Sequence, residues 1–165
     1  MGLAALAPSQ ALAGSVLTVT AKGTIPTSCS VASAGNFANV ADFTQSGQRT
    51  ASVTVSCNQG FTITAKSAKG AIKTAATLPA GPAYSNTLPY TFKLDVALDS
   101  GSVSIPSCAS ATMAGAGCSV SSGGISAIGR TAGLTVNWIS PLPTAPRLIA
   151  GSYGDTISLS IAPTP

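Results

Sequence analysis

The chain has 165 residues, of which 45% are hydrophobic and only 7% charged, with a net charge of +4 and no histidine. That length suits one domain with a sizeable core. Its only carboxylate side chains are Asp42, Asp95, Asp99 and Asp155, so little here can move a proton near neutral pH, and neither an enzyme nor a catalytic residue is expected. The basic residues are spread along the chain and aromatics amount to 5%, which speaks against the dense basic and aromatic surface of a nucleic-acid binder.

The chain opens with MGLAALAPSQALA, an apolar stretch that ends in the small-x-small pattern of a leader cleavage site. Residues 1–13 are therefore expected to be the remnant of a signal peptide cut before Gly14, with the basic start of that leader upstream of Met1. The stretch is too short to span a bilayer. Export implies an oxidising compartment, and in one the even set Cys29, Cys57, Cys108 and Cys118 is expected to form disulfides. With no Cys-x-x-Cys spacing and no histidine, neither a metal nor a cofactor is expected.

Residues 14–25 alternate cleanly, with Leu17, Val19, Ala21, Gly23 and Ile25 on one face and Thr18, Thr20, Lys22 and Thr24 on the other. Such a strand can complete its own sheet or pair with the open edge of another molecule, and periodicity does not choose between them. Further on, Val53, Val55 and Cys57 alternate with Ser and Thr, and Phe61, Ile63 and Ala65 with Thr62, Thr64 and Lys66. Lys66, Lys69 and Lys73 form a loose basic group, expected to be a solvated turn that keeps a strand end soluble. The longest run is Tyr90, Phe92, Leu94, Val96 and Leu98. Leu134, Val136 and Trp138 follow, then Tyr153, Ile157, Leu159 and Ile161. Turn signals separate the runs, among them Asn58-Gln59-Gly60, Ala80-Gly81-Pro82, Asp99-Ser100-Gly101, Gly123-Gly124 and Pro141-Leu142-Pro143. No helix-length apolar stripe occurs. The prediction is an all-β sandwich or barrel of short, half-buried strands.

Four cysteines allow three pairings. Joining Cys108 to Cys118 closes a short Gly, Ala and Ser-rich loop and is worth roughly 2–3 kcal/mol in the chain-entropy model. Cys29 with Cys57 is then the remaining pair, and both sulfurs share the parity of core positions. Asp95 and Asp99 fall on one polar strand face without a third ligand nearby and are expected to meet water. Trp138 shares the parity of Leu134 and Val136, which places it in the core rather than against a sugar. Gly115-Ala116-Gly117 lacks the strand-to-helix setting of a phosphate loop and reads as a turn. Asp155 is expected to fix the turn into the last strand.

Three stretches together carry a family resemblance: an alternating strand running into Ile25-Pro26-Thr27-Ser28-Cys29, a second cysteine closing Val53-Thr54-Val55-Ser56-Cys57, and Ala150-Gly151-Ser152-Tyr153-Gly154-Asp155-Thr156 before a final alternating strand. In these the chain resembles the spore coat protein U family, which includes the major pilins of archaic chaperone-usher pili. The resemblance spans nearly all of the chain after residue 13, strongest at its two ends. It implies an incomplete immunoglobulin-like sandwich over residues 26–165, completed by donor-strand complementation. A periplasmic chaperone would fill the gap first, and then, with an outer-membrane usher, the N-terminal strand (residues 14–25) of another copy or a sister pilin.

Carried over residue by residue, the donor side chains would be Leu17, Val19, Ala21 and Gly23, and the family's disulfide would be Cys29–Cys57. The chain departs from the family by ending Ile161-Ala162-Pro163-Thr164-Pro165 in place of an aromatic, and by carrying the Cys108 and Cys118 pair. The function implied is a structural subunit of an extracellular pilus, fimbria or spore-coat-like assembly, exported through the periplasm to the cell surface and serving adhesion and biofilm growth. The alternative is a secreted carbohydrate-binding or adhesin module, at a filament tip for instance, using the Thr-rich strand faces or an exposed loop.

Overall fold

Alternation sends every second side chain of a strand to the same face, and in the computed structural model, which describes residues 22–33, 42–80, 82–141 and 146–164, that pattern builds antiparallel sheets. Among the described residues the elements run, in chain order, β1 (Cys29–Ser33), β2 (Gly47–Cys57), β3 (Phe61–Ser67), β4 (Ile72–Lys73), β5 (Tyr84–Ser85), β6 (Thr87–Leu88), β7 (Tyr90–Ala97), β8 (Ser102–Ala109), α1 (Ser110–Ala114), β9 (Cys118–Ser121), β10 (Ala127–Trp138), β11 (Arg147–Leu148) and β12 (Ile157–Pro163). The protein is all-β. No helix among the described residues is long and apolar enough to cross a membrane.

The larger sheet has the order β1-β2-β10-β7-β8 and the smaller one β12-β3-β9, while β4 with β6 and β11 with β5 make two-residue ladders at one end. Val53, Val55 and Cys57 of β2, Phe61, Ile63 and Ala65 of β3, Phe92, Leu94 and Val96 of β7, and Leu134, Val136 and Trp138 of β10 are all buried in one hydrophobic cluster. The two sheets therefore share a core. Each such side chain contributes roughly 1.5–3 kcal/mol on burial when it is a Val, Leu, Ile or Phe. The opposite face of the larger sheet is polar, with Thr54, Thr91, Lys93, Asp95 and Thr131 exposed.

Two irregularities bend the larger sheet. On β10 the register shifts between Ala127 and Arg130, where Gly129 takes a φ of 62°, a conformation that costs a residue with a Cβ. On β8, Pro106 and Ser107 together oppose Lys93 alone, so the strand bulges and Cys108 as well as Ile105 can face inward. Proline is tolerated there because β8 is an edge strand.

The register defines two ends. Cys29 pairs with Cys57, Cys57 with Ala127, and Phe61 with Pro163, which gathers these residues at what we term the Cys57 end. Trp138 pairs with both Gly47 and Tyr90, and Ile157 with Ser67, at the Trp138 end. The disulfides join the expected pairs: Cys29–Cys57 ties β1 to β2, and Cys108–Cys118 ties the larger sheet to the smaller along the β8–β9 flank. The segment between Cys108 and Cys118 is more than the plain loop expected from its composition. It contains α1, whose Met113 is fully buried, and Ser110 Oγ accepts a hydrogen bond from Tyr90 N at 3.3 Å.

Candidate functional site

The flank opposite the Cys108–Cys118 staple is formed by the edge strands β1 and β12. β12 pairs with β3 on one side, and its other edge has no strand partner among the described residues. Burial differs sharply across this pair. Ile161 lies opposite Ile63 and Leu159 opposite Ala65; the β3 residues are fully buried, yet Ile157, Leu159 and Ile161 are only partly so. The side chains share one face, and among the described residues no strand lies beyond β12 to cover them further.

A cleft of about 1110 Å³ opens beside this edge. Val31, Val53, Leu134, Val136 and Trp138 of the larger sheet form one wall, and Ile157 and Leu159 of β12 another. Along the two edge strands its lining ends at Val31 and Leu159, leaving out Cys29 and Ile161, so it lies toward the Trp138 end. Phe43 sits edge-on to Trp138, with ring centroids 5.3 Å apart, and edge-on to Tyr153 at 6.1 Å, adding an aromatic rim. Trp138 is held by donating its indole N–H to Gln45 O at 2.8 Å. Tyr153 donates its hydroxyl to Ile149 O at 2.9 Å, and burial raises its phenol above the ordinary value.

Asp155 carries the polar part of the same cleft. Its Oδ2 accepts from Ser67 Oγ at 2.5 Å and Tyr90 OH at 2.8 Å, and its Oδ1 from Lys69 N at 3.0 Å and Thr156 N at 2.7 Å. The carboxylate thus fixes the turn into β12, as its position before the last strand suggests, and also ties that turn to β3 and β7. Lys66, Lys69 and Lys73 are all exposed, and Lys69 Nζ donates to Gly154 O at 2.9 Å.

Three of the side chains expected to act as donors, Leu17, Val19 and Ala21, lie outside the described residues. Gly23 is described; it is exposed, and a Cβ placed on it would meet nothing within 4 Å. Asp95 and Asp99 are not brought together: Asp95 pairs with Lys93 at 2.9 Å and Asp99 with Arg130 at 2.7 Å. Among the described residues no group of three or more His, Cys, Asp or Glu side chains could hold a metal ion. Phe43 and Leu148, which also line the cleft, carry no sequence signal beyond being apolar, whereas Val31 shares the parity of Cys29.

The arrangement has a definite chemical capacity. An unpaired strand edge offers backbone donors and acceptors in a row, and the apolar wall of the adjoining cleft, from Val31 and Val53 to Ile157 and Leu159, can take every second side chain of an extended segment laid along it, beside a polar part at Thr44, Arg49 and Asp155. Comparisons with protein-family models, curated proteins and solved structures gave no match.

Proposed function

We propose that this protein is a structural subunit that polymerises by donor-strand exchange, its incomplete immunoglobulin-like sandwich receiving in the β12 cleft the N-terminal strand of another copy. The observation that carries the reading is the edge of β12, unpaired among the described residues, beside partly buried Ile157 and Leu159, in a chain whose residues 14–25 alternate apolar and polar in sequence. Leu17, Val19 and Ala21 supply side chains of a size suited to alternate positions along the apolar wall of the cleft, and Gly23 allows a close backbone approach at its mouth. A contact in which one surface of a molecule meets a different surface of the next need not close, so its product is a filament. Two disulfides suit assembly outside the cytoplasm, through the periplasm to the cell surface, with a chaperone covering the open edge beforehand.

A sugar-binding role has weaker support. Trp138, the side chain best suited to stacking on a pyranose, is 5% exposed and lies in the core.

Removal of residues 14–23 tests the reading. The shortened chain, produced with a periplasmic chaperone, should accept a synthetic peptide of residues 14–25 but form no polymer. Polymer formation by the shortened chain would refute donor exchange.

A further inference from the structure

Among the described residues six large hydrophobic side chains are exposed, and they divide by end. Ile25, Ile125 and Ile128 lie at the Cys57 end: Pro26 O accepts from Asn58 Nδ2, Ala127 pairs with Cys57, and Gly124 packs on Gly60. Leu78, Tyr84 and Ile139 lie at the Trp138 end, where Lys73 bridges Gly154 and Trp138 pairs with Tyr90. Ile128 is 62% exposed and Ile139 81%, whereas the outer face of the larger sheet between them is polar. A second cleft of about 910 Å³ also opens at the Trp138 end, walled by Leu88, Pro89, Ala111, Ile139 and Pro141.

We infer that these ends are the two halves of one contact between consecutive copies, Ile125 and Ile128 of one copy seating on the cleft beside Ile139 of the next. The inference rests on the head-to-tail reading above and adds a second surface to it. The tether dictates the occupant. Gly23 is the last residue assigned to the neighbour's cleft, and Ser28 is already anchored on its own body, its O accepting from Asn58 N at 3.1 Å and its N donating to Asn58 Oδ1 at 3.0 Å. The five residue steps between Gly23 and Ser28 reach at most about 18 Å, and Pro26 restricts them further. The receiving cleft lies toward the Trp138 end, and in the inferred joint Gly23 leaves it there, so a link this short holds the Cys57 end of the donating copy against that end of the receiving one. Apolar surface left at both ends of a solitary molecule is then covered at each joint.

A double-mutant cycle with Ile128→Ser and Ile139→Ser, both at exposed positions, reads the contact through the dissociation rate of preformed polymer. The cleft is read separately, by binding of the 14–25 peptide to full chains carrying Val19→Asp. Each single substitution should speed polymer dissociation about ten-fold, the pair no more than either alone, with peptide affinity unchanged within about two-fold. Singles without effect, or a pair whose effects multiply, would overturn the end-to-end contact while intact peptide binding leaves donor exchange standing. A parent chain that neither polymerises nor binds the peptide would remove both.

Discussion

Tyr90 and Asp155, sixty-five positions apart in the chain, are hydrogen-bonded at the cleft, the phenol donating to Oδ2 at 2.8 Å. The bond ties the first residue of β7 in the larger sheet to the turn that launches β12, the strand whose open edge defines the site. Tyr90→Phe should therefore cost about 1–2 kcal/mol at neutral pH. Burial, reinforced by Asp155, also raises the Tyr90 phenol far above its ordinary value. An unfolded tyrosine ionises near pH 10, so the Tyr90 contribution is complete below that and is lost as pH climbs toward the higher folded value. Urea unfolding at pH 7 and at pH 10.5 should show the parent losing stability and Tyr90→Phe losing less of it.

At the Cys57 end the sign reverses. Asp99 accepts from Ser126 Oγ at 2.6 Å and Arg130 Nε at 2.7 Å, and these bonds hold its carboxyl below the ordinary aspartate value. Its contribution is present above about pH 4 and lost as pH falls through the folded value. Asp99→Asn should flatten the fall in thermal midpoint between pH 5 and pH 2. An unchanged slope would assign that acid sensitivity elsewhere, Asp42 with its Thr44 partner being the other carboxyl held low.

The parity count reads the faces of β2, β3, β7, β12 and the Ala132–Trp138 part of β10 correctly because alternation is unbroken there, with one face turned to the core, fully buried in β3 and β7 and partly so in β12. It misses β8, where the bulge at Pro106 and Ser107 breaks the period of two between Ile105 and Cys108. It misses α1 because a single helical turn anchored by Met113 has too few residues to show a period. The cleft is legible only by halves. Ile157 and Leu159 announce an apolar face, but alternation is the same whether or not a strand covers it, and it is the partial burial of β12 beside fully buried β3 that marks the open side. The Asp155 network spans 65 and 88 positions to Tyr90 and Ser67, separations over which local sequence carries no information.

Gly47 admits no side chain where it stands: a Cβ there would lie 2.6 Å from Trp138 Cζ2. Gly47→Ala must push the indole toward the cleft, at a cost of about 1–3 kcal/mol typical of overpacking. Trp138 is the only tryptophan, so its emission spectrum reports the shift directly. The same variant should weaken binding of the 14–25 peptide, since Trp138 lines the site.

The two disulfides should separate stability from reception. Cys29–Cys57 closes a span of 28 residues and Cys108–Cys118 one of 10, which the chain-entropy model values at about 3–4 and 2–3 kcal/mol. Double Cys→Ala replacement at either pair should lower urea stability in that order. Only loss of Cys29–Cys57 should also weaken peptide binding, because it holds β1 at the cleft flank whereas Cys108–Cys118 staples the far flank.

Donation and reception use different residues, and this permits a test in which two inactive chains complement each other. Leu159→Asp puts a charge on the cleft wall and should abolish reception while leaving residues 14–25 free to donate. Val19→Asp should abolish donation and leave the cleft intact. Each variant alone should remain monomeric, and their mixture should give a 1:1 dimer that grows no further, because the Leu159→Asp partner cannot receive and the Val19→Asp partner cannot donate. Sedimentation of the mixture decides the matter: a dimer confined to the mixture supports a directional joint between strand and cleft, whereas monomers throughout, with polymer in the parent chain, would move the joint to another surface.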